Sequence, residues 1–186
     1  LYPQSRLEEI TDQYGINIKA QTTRTTTSFS AEISNQNLDI ASELLSQIVF
    51  NPKIANEAVE NERATIITEE NEVNHNFEEV IWDSLHAIAY PDSPVGFPIL
   101  GSRQNINSIT AQMIKEQHTK FYNPSNCIFV CATKLEHERI CESIQKATSF
   151  IRKIPPLNIS EIDSKLKIDF KPVFRMFGSN YLDKSI

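Results

Sequence analysis

The sequence has 186 residues, 40% of them hydrophobic and 23% charged, a balance typical of a globular protein rather than a disordered or fibrous one. Its 18 basic and 24 acidic side chains give a formal net charge of −6, which argues against binding to nucleic acid but allows a cationic partner in an acidic cleft. Apolar runs of only a few residues exclude a transmembrane helix.

A helix and a β-hairpin are predicted at the start of the chain. Ser5, with Glu8 three residues later, has the pattern of a capping box, and Gly15 ends the helix. Apolar and polar residues then alternate over 16–22 and again over 25–33, which predicts two paired strands. Their inward-facing residues are expected to be Ile16, Ile18 and Ala20 in the first strand, and Phe29, Ala31 and Ile33 in the second.

The rest of the chain is predicted to be mostly helical. Asn37 is expected to cap the next helix, and Pro155 begins a stretch without periodicity. The expected elements are helices over 37–51, 54–74, 77–90, 108–121 and 136–151, a loop over 91–101, and strands over 126–132 and 166–170. Helices interspersed with adjacent strands indicate an α+β domain with a mainly antiparallel sheet.

The run ERATIITEENEV, from residue 62 to residue 73, is the most informative segment. Glu62 and Glu69 are seven residues apart, nearly two helical turns, and therefore point the same way. Apolar residues such as Ile66 and Val73 share that stripe, so we expect both carboxylates on the face that meets the core. Buried carboxylates need a metal or a partner. The alternative is that they lie at the edge of the stripe and pair with Arg or Lys.

Three histidine patterns resemble metal sites only in part. The segment that begins at His137 starts like the zinc helix HExxH, but Cys141 stands in the second histidine position. Two carboxylate-x-x-His pairs resemble those of di-iron bundles, which require an all-helical frame. These pairs are Glu72 with His75 and Asp83 with His86.

The three cysteines, Cys127, Cys131 and Cys141, form no CxxC pair. Their odd number predicts buried, reduced thiols in a compartment that does not oxidise them.

The segment E-R-x-x-I-I-x-E over 62–69, followed by Glu79, Asp83 and the run LHA over 85–87, resembles the M16 (pitrilysin-like) metallopeptidases. Within that family it is most similar to the group formed by mitochondrial processing peptidases and the core subunits of the cytochrome bc1 complex. Matching residues on both sides, such as QTTR over 21–24 and ILG over 99–101, extend the resemblance over about 5–154. It implies an M16-like α+β domain.

The resemblance implies a zinc site. In the family, zinc is bound by two histidines of an HxxEH motif, whose glutamate activates the attacking water, and by a glutamate on a later helix. Glu69 matches that later ligand, and Glu62 matches a carboxylate that steadies the site. No HxxEH occurs in this sequence, and family spacing places it upstream of Leu1, together with the first strands. The chain alone is therefore expected to be inactive.

The resemblance also implies a peptide site. Glu79 and Asp83, four residues apart on one helix face, match carboxylates that hold a substrate arginine. An ordinary solvated helix face is the alternative. Lys19, Ala20 and Gln21 match the edge strand that pairs with an extended substrate. Here the chain reads KAQTTRT over 19–25 where the family reads NAYTSRE, which leaves backbone pairing possible but changes the side-chain contacts.

The group to which the chain is similar also implies a setting. The expected protein is a zinc endopeptidase that removes basic presequences in the mitochondrial matrix, beside an α-type M16 subunit and in contact with cytochrome bc1 subunits of respiratory complex III. A non-catalytic bc1 core subunit and another bacterial or organellar M16 peptidase are the alternatives. The expected domains are a partial peptidase-type domain over 1–154 and a linker toward a second domain over 155–186.

Overall fold

A computed structural model describes residues 4–73, 75–91 and 93–151. The predicted linker over 155–186 and the strand over 166–170 lie outside these residues. The helices are α1 (Gln4–Tyr14), α2 (Leu38–Phe50), α3 (Asn56–Val73), α4 (Phe77–Ala89), α5 (Arg103–Ser108), α6 (Ala111–Phe121) and α7 (His137–Ala147), and the strands are β1 (Asn17–Thr22) and β2 (Thr27–Glu32). The predicted α+β class with an antiparallel sheet is confirmed.

The hairpin packs on the first two helices. Strands β1 and β2 are antiparallel, with Ala20 opposite Phe29. Gly15, at φ 61°, makes the turn from α1 into β1. The core is formed by Ile10 of α1, Ile16 between α1 and β1, and Leu44 of α2. Partly buried apolar residues from all four elements close around it. Helix α7 packs on the other side of α2, where the hydroxyl of Ser143 lies 3.0 Å from that of Ser42.

The structure corrects two predicted helix caps and one strand face. Helix α1 begins at Gln4, so Ser5 lies inside its first turn. Asn37 makes no side-chain cap because a 3-10 turn, Asn35–Asn37, runs directly into α2. Ala20 is exposed rather than inward-facing, since no described residue covers the outer end of β1.

The helix predicted over 108–121 is present as α6, which begins three residues later than predicted, at Ala111, and a short helix that was not predicted, α5, precedes it. Helix α5 ends at Ser108, Ile109 and Thr110 are extended, and α6 begins at Ala111. The Thr110 hydroxyl accepts from the backbone N–H of Met113 at 3.3 Å. This cap favours a new helix start over continuation of α5.

The predicted strand over 126–132 is wrong for this structure. Cys127 has extended dihedral angles, φ −115° and ψ 144°, but the one sheet of the described residues contains only β1 and β2. With no strand beside it, the segment forms no ladder. Ile128 and Val130 are 91% and 88% exposed.

Among the helices that the structure describes, none is long and apolar enough to cross a membrane.

Candidate functional site

The two carboxylates on α3 are exposed, which corrects the prediction that they face the core. Both Glu62 and Glu69 lie on α3 and point the same way, seven residues apart. The partly buried stripe of the helix runs beside them and consists of Val59, Arg63, Ile66, Ile67, Glu70 and Val73. Neither carboxylate has a hydrogen bond or ion pair with another described residue, so the alternative of an Arg or Lys partner is not seen there either.

Arginines hold the packed side of α3 in place. Arg63 donates to the carbonyl oxygen of Ile109 at 2.6 Å and to that of Ile106. The same guanidinium pairs with Glu60 at 3.1 Å, and this contact lowers the pKa of Glu60 and raises that of Arg63. Farther along α3, Glu70 accepts a hydrogen bond of 2.8 Å from Arg103 of α5. These contacts fix which side of α3 presents the free carboxylates.

Helix α4 carries the second acidic pair. Asn76 caps the helix, with its side-chain oxygen accepting from the N–H of Glu78 at 3.2 Å, while its Nδ2 donates to Glu79 Oε1 at 3.0 Å. Glu79 is exposed, whereas Asp83 is half-buried and accepts from Arg24 of the hairpin turn. Asp83 therefore has a partner within the chain already.

Strand β1 offers a free edge within the part of the chain that the structure describes. It pairs with β2 on one side only, and Lys19, Ala20 and Gln21 are all exposed. The ammonium of Lys19 lies 3.0 Å from Glu32 on β2, and this hydrogen bond lowers the pKa of Glu32. An unpaired strand edge can take an extended peptide by main-chain hydrogen bonds.

The histidine patterns do not form metal sites in the described residues. Nδ1 of His75 lies 2.6 Å from the carbonyl oxygen of Asn71, and Nδ1 of His86 lies 2.8 Å from that of Trp82. Nε2 of His137 contacts the sulfur of Cys141 at 3.3 Å. No group of three His, Cys, Asp or Glu that could hold a metal occurs in the described residues.

The cysteines are free thiols, but they are not all buried. Cys127 and Cys141 are half-buried, and Cys131 is exposed because it lies on the unpaired segment over 126–132. Burial raises the pKa of the Cys127 thiol.

A zinc ion fits these residues only in part. Glu69 is an exposed carboxylate without a described partner, as a ligand would be. Catalytic zinc needs three protein ligands, and the described residues do not complete that set around Glu69. The described residues alone therefore do not make a catalytic zinc site.

Sequence reasoning missed three residues that hold the acidic groups: Arg24, Arg63 and Asn76. Asn76 could have been found, because Asn followed three residues later by Glu79 at a helix start is a capping pattern. The two arginines have no such signal, since their partners lie far away in the sequence.

Residues 1–103 match the model of the insulinase family, peptidase family M16. The chain belongs to peptidase family M16.

Its curated relatives include β subunits of the mitochondrial-processing peptidase. It is 34% identical to that of Neurospora crassa, over 90% of this chain and 35% of the relative. It is 33% identical to that of Saccharomyces cerevisiae, over 81% of this chain and 32% of the relative. The chain thus spans about a third of the length of these relatives.

Solved structures share the fold. A protease from Helicobacter pylori superimposes with a TM-score of 0.74 at 20% identity, covering 80% of this chain and 36% of that one. An M16-like peptidase from Alicyclobacillus acidocaldarius gives a TM-score of 0.72 at 21% identity, covering 84% and 37%.

Proposed function

We propose that this chain is part of a zinc metalloendopeptidase that removes basic presequences from proteins imported into mitochondria. The observation that carries the proposal is the position of four carboxylates on two consecutive helices. Glu62 and Glu69 share one side of α3, and Glu79 and Asp83 are four residues apart on α4. The similarity to processing-peptidase β subunits supports the same function.

Glu69 is proposed as one zinc ligand, and two histidines of an HxxEH segment outside this sequence as the others. Glu62 would orient the site from beside the ligand. Zinc, when bound, supplies the Lewis acid that activates water. The contribution of this chain is to hold Glu69 on a helix whose neighbouring stripe is anchored by Arg63 and Arg103.

The substrate is proposed to be an extended peptide with an arginine. Its backbone would pair with the free edge of β1 at Lys19, Ala20 and Gln21, and its arginine would lie against Glu79 and Asp83 on α4. An acidic helix face suits a guanidinium, which keeps its charge at all physiological pH values.

The proposed setting is the mitochondrial matrix, with an α-type M16 subunit as partner. Association with cytochrome bc1 subunits on the matrix side of the inner membrane is part of the same proposal. A non-catalytic bc1 core subunit with this fold is the alternative, in which the four carboxylates would have no catalytic role.

The test is zinc content and peptide cleavage by the full-length protein, purified with its α-type partner. We expect about one zinc per chain, as one catalytic site requires, and cleavage of a presequence peptide that contains arginine. Glu69→Gln should remove both zinc and cleavage. Glu57→Gln is the matched control, because Glu57 is an exposed glutamate on the same helix, outside the proposed site.

Three outcomes would count against the proposal. A folded, paired protein without zinc and without cleavage would favour the structural core subunit. Retention of zinc by Glu69→Gln would remove Glu69 as a ligand. An equal loss in Glu57→Gln would mean that the effect comes from the helix and not from the ligand position.

A further inference from the structure

Each of the two α4 carboxylates is held by its own chain through one oxygen. Glu79 Oε1 accepts from Asn76 Nδ2 at 3.0 Å, and Asp83 Oδ1 accepts from Arg24 Nη2. The second oxygen of each carboxylate has no hydrogen-bond partner among the residues that the structure describes. Two free oxygens thus remain on one side of the helix, four residues apart.

Arg24 joins three parts of the structure. It lies in the turn between β1 and β2, which is closed by a hydrogen bond of 2.8 Å from the N–H of Thr23 to the carbonyl of Thr26. Its Nη2 binds Asp83 on α4, and its Nη1 donates to the carbonyl oxygen of Phe97 in the following loop. The Arg24 side chain is only 12% exposed, so these contacts hold it firmly.

We propose that Arg24 is a positioning residue for arginine recognition. It fixes Asp83 by one oxygen, so that the other oxygen, together with the free oxygen of Glu79, faces a substrate guanidinium. It also ties the hairpin that contains the β1 edge to the helix that carries the acidic pair. This inference rests on the proposed function, because it concerns the binding of a substrate arginine.

Arg24 has two effects on that binding, and they have opposite signs. Its positive charge partly cancels Asp83 and so weakens the attraction for a guanidinium. Its contacts orient Asp83 and so strengthen the pairing, because the free Asp83 oxygen must lie along an N–H direction of the rigid, planar guanidinium. Asp83 is 34% exposed, and water screens the charge effect more than it changes the geometry. Orientation is therefore the larger effect.

The experiment compares two presequence peptides, one with a single arginine and one with citrulline, the uncharged isostere, in its place. Both are cleaved by the full-length protein with its α-type partner. Arg24→Gln is expected to raise KM for the arginine peptide about tenfold, with kcat changed less than about twofold and the citrulline peptide little affected.

Two further variants complete the comparison. Arg24→Lys keeps the positive charge but lacks the two forked donor groups of the guanidinium, and should raise KM for the arginine peptide at least about threefold. The same variant provides the comparison if Arg24→Gln does not fold. Arg139→Gln is the matched control, since Arg139 pairs with Asp39 between α7 and α2, away from the proposed site, and it should leave the preference unchanged.

Several results would overturn the inference. A lower or unchanged KM for the arginine peptide in Arg24→Gln would mean that Arg24 only shields Asp83. An equal rise in KM for both peptides would make Arg24 a purely structural residue. Wild-type kinetics in Arg24→Lys would mean that only the charge of Arg24 matters and not its two contacts. A wild-type protein that cleaves neither peptide would overturn the proposed function as well, whereas a wild type that prefers arginine confines the failure to Arg24.

Discussion

Arg63 Nη2 lies 2.6 Å from the carbonyl oxygen of Ile109, a residue 46 positions later in the chain. With its second contact, to the carbonyl of buried Ile106 in α5, this arginine holds α3 against α5 and the segment that joins α5 to α6. Glu62 and Glu69 lie beside this anchored stripe. The orientation of the candidate ligand helix thus depends on Arg63, together with the contact between Arg103 and Glu70.

Arg63→Met is expected to lower the free energy of unfolding by about 2 kcal/mol, because two carbonyl groups lose their donor while the apolar stem keeps its packing. Urea denaturation of the full-length protein measures the change. Arg139→Met is the control, since it breaks only an ion pair whose side chains are 44% and 51% exposed, and should cost clearly less than Arg63→Met. A smaller loss in Arg63→Met than in Arg139→Met would contradict the anchoring role.

Asp39 should make the stability depend on pH in acid. Arg139, 2.7 Å away, lowers the pKa of Asp39 from its ordinary value of 3.8 to about 2. Because the folded pKa is the lower one, the ion pair stabilises the protein above about pH 4, and this contribution is lost as the pH falls toward 2. Both side chains are about half exposed, so the effect is below about 1 kcal/mol.

Thermal unfolding, followed from about pH 5 down to about pH 2, measures this effect. Asp39→Asn should flatten the pH dependence over this interval. Asp12→Asn, at an exposed position on α1, should leave it unchanged. The same slope in Asp39→Asn as in the wild type would refute the assignment.

Gly96 should not tolerate a side chain. It is buried in the turn Pro94–Gly96, and a Cβ there would overlap the carbonyl oxygen of Tyr90 at the end of α4. Gly96→Ala is expected to cost about 1–3 kcal/mol, the usual range for overpacking. Gly101→Ala is the comparison, since that position has open space and only its φ of +80° to strain, and should cost about 1 kcal/mol. The reverse order of the two losses would disprove this reasoning.

The cysteines should differ in reactivity. Cys131 is exposed, and Cys127 is half-buried with a raised thiol pKa. Alkylation with iodoacetamide near neutral pH, followed by mass spectrometry, should therefore modify Cys131 first and Cys127 more slowly, because the thiolate is the reactive form. Unfolding in urea should make the two rates similar. Faster modification of Cys127 in the folded protein would contradict the structure.

The elements with strong local signals could be predicted from the sequence. The hairpin of β1 and β2, the break between α3 and α4, and the end of α1 at Gly15 all follow from periodicity, capping and turn residues within a few positions. Helix α5 could not, because its six residues are too few to show a helical period, and the start of α6 at the Thr110 cap was placed three residues too early.

Features that depend on distant partners were not predictable. The exposure of Glu62 and Glu69 follows from the contacts of Arg63 with residues more than forty positions away. The pairing of Arg24 with Asp83 joins a hairpin turn to a helix across 59 positions. Neither has a signal in the neighbouring sequence, so the acidic positions could be named but their partners could not.

The unpaired segment over 127–132 affects the behaviour of this chain in solution. Its run of apolar residues, Cys127 to Ala132, contains no charge or proline to discourage pairing. The N–H of Cys127 donates to the carbonyl oxygen of Pro124 at 3.3 Å, but the main-chain groups of 128–132 have no hydrogen-bond partners among the described residues. Such an edge is a template for a strand from another molecule. Two copies of the isolated chain can therefore join through this segment, and the associated fraction should rise with protein concentration.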